Sequence, residues 1–268
     1  MISVNGTNLE LGSFPDGTLL FKISRDSMPS VKIDWFYEND REFVALIFLA
    51  KHLKAHGVER VHLYMPYIPN ARQDRVKTVE DVFTLKYFAE VINDLNFDTV
   101  TVLDPHSNVS TALINRIRVQ PTDKYVKAAI KEIVEQEGDL PVMFYPDEGA
   151  SKRYNGMVEL PYAFGIKNRD WKTGKILSLD VAGAVSEIAG KNILIVDDIC
   201  SRGGTFYHSA KKLKELGAKN VYLYVSHCEN SILEGELINS GLVKRIYTTN
   251  SILTITHPII QKFNLGGN

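Results

Sequence analysis

Twice along this chain a short β-branched apolar run gives way to a polar turn, then to a helical stretch closed by glycine, then to another apolar run. Strands joined through helices in this way require crossover connections, and crossovers build parallel sheets with helices packed on them. In the first half, residues 39–57 (NDREFVALIFLAKHLKAHG) carry an Asn/Asp start, an apolar body, late lysines and a glycine stop, which predicts a helix. It leads into VHLYMPYIP, a strand ended by prolines, and a second helix predicted over residues 79–95 leads into TVTVLDPHS. In the second half NILIVDDIC, FYHSAKKLKELGAK and VYLYVSHCE repeat the order strand, helix, strand. The expected architecture is α/β with two related domains, residues 1–120 and 121–268, each a mainly parallel sheet flanked by helices and meeting near the sequence RVQPT.

Charge and composition narrow the function classes. Lys and Arg total 31 against 32 Asp and Glu, so a dedicated nucleic-acid binder, which needs a clustered cationic excess, is not expected. Any anion site must be local. Cys200 and Cys228 show neither metal-ligand nor disulfide-framework spacing, which suits a reducing compartment. The opening MISVNGTNLELG lacks a basic region followed by an apolar stretch, and the apolar run at residues 43–50 falls short of the roughly 20 residues that cross a bilayer. That run is expected as a buried helix, and the protein as cytoplasmic with no membrane partner.

Ligands of open α/β sheets bind beyond the carboxyl ends of the strands. Polar residues stand at such ends at positions 70–75, 104–106, 147–149 and 197–205. The last is the most telling, because ILIVDDICSRGGT delivers Asp197 and Asp198 to a strand tip before a glycine-rich turn into a helix. Adjacent carboxylates accept hydrogen bonds from a vicinal diol, and the N–H groups of Gly203, Gly204 and Thr205 at a helix start can hold a phosphate. A ribose bearing a 5-phosphate has both groups.

This segment resembles the phosphoribosyl-binding loop of type I phosphoribosyltransferases and of ribose-phosphate pyrophosphokinases (PRPP synthetases). Further motifs favour the synthetases. PYIPNARQDR resembles their PYxxYARQDR stretch, which implies ATP contacts for Arg72, Gln73, Asp74 and Arg75. Asp104-Pro105-His106 resembles their DLH motif, which puts His106 beside the ATP phosphates and the metal, in a catalytic role. Pro146-Asp147-Glu148-Gly149 resembles PDxGG, which implies that Asp147 helps to hold Mg²⁺, a cation that prefers carboxylate, water and phosphate oxygens. Lys167-Asn168-Arg169, followed by Asp170, Trp171 and Gly174, resembles the K-x-R of the catalytic loop. Its two cations would stabilise charge on the transferring phosphoryl oxygens. Phe14-Pro15-Asp16-Gly17 resembles the F-x-D-G-E segment that reaches the adenine of a neighbouring subunit, so Phe14 and Asp16 join the ATP residues and a homo-oligomer is implied.

The resemblance therefore implies an ATP-binding first domain, and a second domain carrying the sugar-phosphate loop (Asp197, Asp198, Ser201, Arg202, Gly203, Gly204, Thr205) and the catalytic loop. The implied reaction is Mg²⁺-dependent transfer of the β,γ-diphosphate of ATP to the anomeric hydroxyl of a ribose 5-phosphate-type acceptor, with release of AMP. Departures from the family pattern concern the substrates. Thr18 replaces its Glu and Asn70 its Tyr, while Ser201 and Arg202 replace Asp and Thr of DDxxDTGGT. An Arg beside the phosphate turn either binds a larger anion, as in ADP-ribose and hence NAD metabolism, or points into solvent or compensates for the lost hydroxyl. Phosphoribosyl transfer to a nucleobase, and a non-catalytic synthetase-associated subunit, are the other readings; neither uses ARQDR and K-x-R together for catalysis.

Overall fold

The computed structural model of the chain describes residues 1–23, 29–169 and 176–266. Two compact units emerge, Met1–Pro121 with Gly266, and Thr122–Leu265.

The first unit begins with the strand pair β1 (Ile2–Val4) and β2 (Thr7–Asn8), followed by a small hairpin of β3 (Gly12–Ser13) and β4 (Leu19–Leu20). Strands and helices then alternate as β5 (Ser30–Trp35), α1 (Asp40–Ala55), β6 (Arg60–Tyr64), α2 (Thr84–Asp94), β7 (Thr99–Leu103), α3 (Asn108–Leu113) and β8 (Ile117–Gln120). The sheet runs β2-β1-β5-β6-β7-β8, parallel from β5 to β8 and antiparallel at β1. Val31, Ile33 and Trp35 alternate onto one face of β5, as period-two strands require, and pack with Leu46 and Leu49 of α1 and Phe88 and Ile92 of α2.

The expected helix at 39–57 forms with its signals intact: the Asn39 side chain accepts the Glu42 N–H at 3.3 Å, and Gly57 ends it at φ +82°. It is not the fully buried helix expected from its apolar run. Ala45, Leu46, Leu49 and Ala50 face the core, but Val44 and Phe48 are 40% and 52% exposed, so this is one face of a helix covering a sheet. The second helix starts at Thr84 rather than near 79. Asp81 accepts the N–H groups of Lys77 and Thr78 at 2.7 and 2.9 Å, and this side-chain turn competes with helix at the expected start.

The second unit runs α4 (Asp123–Glu137), β9 (Val142–Tyr145), α5 (Glu148–Tyr154), β10 (Tyr162–Arg169), β11 (Ile176–Gly183), β12 (Asn192–Cys200), α6 (Gly204–Glu215), β13 (Asn220–Cys228), α7 (Glu236–Asn239), β14 (Arg245–Thr249) and β15 (Ile260–Phe263). Its sheet is ordered β11-β10-β9-β12-β13-β14-β15 and is parallel except where β10 meets β11. Ile193 to Val196 are all buried because β12 lies in mid-sheet, and α6 presents Phe206, Ala210 and Leu213 at helical spacing to the same core. Both sheets are thus mainly parallel and flanked by helices. Among the described residues no helix is long and apolar enough to cross a membrane.

Candidate active site

In the first unit the segments at the ends of β6 and β7 are tied together. Asn70 sits at φ +64°, a region Asn tolerates, and its carbonyl accepts the Gln73 N–H at 3.1 Å, so the chain turns tightly through Arg72. Gln73 is anchored to the start of α2 by Thr84 Oγ1, which donates to Gln73 Oε1 at 2.9 Å. The Leu103 N–H donates to Pro66 O at 3.0 Å, which joins the two segments through their backbones. Asp104, buried and at φ +40°, then turns the chain toward His106.

Asp74 is the buried polar member of the ARQDR stretch, beside the buried Ala71, whereas Arg72, Gln73 and Arg75 are exposed. Burial pushes the Asp74 carboxyl up, but the Arg75 Nε at 2.9 Å, the Ser107 hydroxyl and the nearby His106 ring outweigh it and hold its pKa below the ordinary value. Asp74 therefore links the exposed Arg75 guanidinium to the neighbourhood of His106. Phe14 and Asp16 lie on the β3–β4 turn, where the Gly17 N–H donates to Phe14 O at 2.9 Å. Thr18 donates its N–H and its hydroxyl to Asp16 Oδ1 at 3.0 and 2.7 Å, which lowers the Asp16 pKa. Arg41 of α1 holds this hairpin through Gly12 O and Ser13 Oγ, leaving the Phe14 ring 50% exposed.

In the second unit Asp147 caps α5, accepting the Ala150 N–H at 3.0 Å. Asp197 and Asp198 lie inside β12, three and two residues before its end at Cys200 rather than at the tip the sequence suggested, because pairing with β13 continues through Cys200; Asp197 Oδ1 accepts the Asp198 N–H at 3.0 Å. Burial drives the Asp197 pKa well above its ordinary value, and the negative charges of Asp198 and Asp147 push it in the same direction. Three carboxylates thus lie close enough to repel one another, a donor set of hard oxygens that fits Mg²⁺. Among the described residues no group of three or more His, Cys, Asp or Glu forms a ready-made metal cage. Arg153 of α5 offsets part of this charge, its Nη1 lying 3.7 Å from Asp198 Oδ2.

Beyond Cys200 the chain turns through Ser201 and Arg202 to Gly203, which caps α6 at φ +76°. A Cβ on Gly203 would lie 2.8 Å from Leu237 Cδ2, so both backbone and packing select glycine, whereas a Cβ on Gly204 would meet open space. The Gly204 and Thr205 N–H groups open α6, a phosphate-type position. Arg202 Nη2 pairs with Glu234 at 2.8 Å, and Ser201 Oγ donates to Glu229 at 2.5 Å. Lys167 and Arg169, expected on a loop, fall in the last residues of β10, with a register shift between Asn168 and Arg169. Asp170, Trp171 and Gly174 lie outside the described residues.

A family model described as the phosphoribosyl transferase domain matches residues 147–245. The ribose-phosphate pyrophosphokinase of Saccharolobus solfataricus is 26% identical over 262 residues, covering 94% of this chain and 87% of that protein. The enzyme of the same name from Sulfurisphaera tokodaii is 29% identical over 263 residues, with the same coverage of 94% and 87%. Over nearly its whole length the chain is thus similar to ribose-phosphate pyrophosphokinases (PRPP synthetases). The crystal structure of phosphoribosylpyrophosphate synthetase from Mycobacterium smegmatis shares its fold, with TM-score 0.79 over 96% of this chain and 86% of that one at 19% identity.

Against this synthetase background, sequence reasoning missed Arg153, Ser107 and Glu229. The first two act only through the folds of short helices and carry no sequence signal of their own. Glu229 had one: it follows β13 directly, a fifth polar strand end beside those at positions 70–75, 104–106, 147–149 and 197–205.

Proposed function

We propose that this protein transfers the β,γ-diphosphate of ATP to the anomeric hydroxyl of a ribose 5-phosphate-type acceptor, yielding the sugar 1-diphosphate and AMP. The observation that carries this reading is the pair Asp197–Asp198 near the carboxyl end of a buried parallel strand, followed by the positive-φ Gly203 and the start of α6. On this reading Asp197 and Asp198 accept hydrogen bonds from the sugar hydroxyls, while Gly203, Gly204 and Thr205 hold the 5-phosphate by N–H groups at the helix start. In the first unit, Arg72, Gln73, Asp74, Arg75 and His106 form the ATP-binding set. Its exposed cations suit a polyphosphate, and Asp74 holds one of them, Arg75, in place.

Mg²⁺ when bound would neutralise charge on the phosphate oxygens, with Asp147 as its assigned protein ligand in the second unit. Lys167 and Arg169 stabilise the charge that develops during in-line transfer. No general base is assigned, because a loose transition state needs chiefly positioning and electrostatics. Phe14, half exposed on its hairpin, suits contact with the adenine of a neighbouring copy in a homo-oligomer. A soluble cytoplasmic enzyme in nucleotide biosynthesis accords with these substrates.

One observation favours a larger acceptor such as ADP-ribose, which would connect the reaction to NAD metabolism. Arg202 stands 72% exposed beside the phosphate turn, and guanidinium nitrogens other than the one on Glu234 are suited to a second phosphate. The test is AMP formation from ATP and Mg²⁺, followed by chromatography, with ribose 5-phosphate and ADP-ribose in parallel. AMP dependent on either acceptor supports the transfer and ranks the two. ATP consumption that yields ADP, or none with either acceptor, contradicts it.

A further inference from the structure

The turn that follows β12 is braced by the segment that follows β13. The Glu229 N–H donates to Cys200 O at 2.8 Å, and a Cβ on Gly235 would lie 1.8 Å from Arg202 O. Between these backbone contacts, Glu229 Oε2 accepts from Ser201 Oγ at 2.5 Å and from Ser231 Oγ at 3.0 Å. Glu229 is half-buried, and an ionised carboxylate has no proton to give. A serine hydroxyl has only one proton, and here the carboxylate takes it.

We infer that Glu229 is a positioning residue for the acceptor: by claiming the Ser201 proton it turns the Ser201 oxygen into a hydrogen-bond acceptor for a sugar hydroxyl. The inference rests on the proposed diphosphate transfer and deepens it, because it states which chemical group of the acceptor meets the turn at this point. A serine with a free proton beside a phosphate-type helix start would donate to a phosphate oxygen; with its proton held by Glu229, it selects a hydroxyl donor instead. Ser231 adds a second hydroxyl to the same carboxylate oxygen, which fixes the carboxylate in place against Ser201. The consequence is a turn whose backbone N–H groups recognise phosphate while its side chain at 201 recognises hydroxyl.

The test combines the full-length wild type with E229A, E229A/S201D and S201D, using whichever of ribose 5-phosphate and ADP-ribose the wild type consumes. In E229A, the KM for the acceptor is expected to rise about tenfold, the scale of one charge-assisted hydrogen bond, with kcat and the KM for ATP changed less than about twofold. Aspartate at 201 is itself acceptor-only, so E229A/S201D should recover most of the acceptor KM. S201D alone, which sets two carboxylates together, should not. Circular dichroism and melting of each variant separate a failure to fold from a loss of affinity. Folded E229A with an unchanged acceptor KM, or no recovery in E229A/S201D, overturns the inference while leaving the proposed reaction standing. Absence of AMP from the wild type with both acceptors overturns the reaction and the inference together.

Discussion

Asp197 is held in an environment that opposes its charge, since burial and the neighbouring carboxylates Asp198 and Asp147 all raise its pKa. In the unfolded chain the same group ionises near 3.8, so above that pH the unfolded state sheds its proton first and folding stability falls until the native group ionises as well. D197N removes this penalty and keeps an oxygen that can accept the Asp198 N–H. Its melting temperature is expected to exceed that of the wild type by roughly 2–4 °C at pH 8, about 1 kcal/mol, and by less at pH 5. If Asp197 accepts the sugar hydroxyls as proposed, activity should drop by about a hundredfold or more, because an amide replaces a carboxylate there. Equal melting at both pH values would contradict this account of the pair. The paired acids and the glycines were legible in the sequence because chemistry at a strand tip needs those residue types. Their partners were not: Arg153 meets Asp198 through the fold of α5, and Glu229 meets Ser201 across two strands 28 residues apart.

The elements themselves follow from local rules wherever caps and periodicity agree, as at α1, and fail where side-chain turns intervene, as at Thr78 and Asp81 before α2. The β12–α6 connection shows how strict such rules become at a site. G203A must place a Cβ at φ +76° and against Leu237, and should lose about 1–3 kcal/mol with a matching fall in melting temperature. G204A, whose Cβ meets open space, should melt within a degree or so of the wild type. Thermal denaturation of both variants checks the pair, and equal loss in the two would show that the turn is not held by Gly203. At β10 the resemblance to the synthetases' K-x-R catalytic loop implied a loop for Lys167 and Arg169, yet backbone pairing with β11 extends the strand through both. K167A and R169A should each lower kcat by about a hundredfold or more while the KM values move only a few-fold, as for groups that act on the transition state. A loss confined to KM would reassign them to ground-state binding.

At the scale of the whole molecule, each sheet is built by repetition of strand and helix, and this was readable from hydrophobic patterning because buried parallel strands leave little room for polar residues. The ion network that closes the second unit was not readable. Glu137, at the end of α4, accepts from Tyr222 at 2.8 Å and pairs with Lys219 at 3.0 Å and with Lys244, residues from 82 to 107 positions away. Hydrogen bonds from Lys244, Tyr222 and Lys219 bring its pKa down from 4.5 to about 2. The depressed pKa makes its stabilisation fully present above the unfolded value and lost as pH falls toward about 2. E137Q should therefore melt below the wild type at pH 7, by an amount that shrinks as the two are compared at successively lower pH. A difference that grows in acid would contradict this.

The central claim is a transfer of diphosphate rather than of a single phosphate. Phosphorus NMR of the wild type with ATP, Mg²⁺ and the acceptor decides it most directly. The account predicts AMP appearing in equal amount with a diphosphate attached at the anomeric carbon; ADP with a sugar monophosphate, or pyrophosphate set free without a new sugar ester, would contradict it.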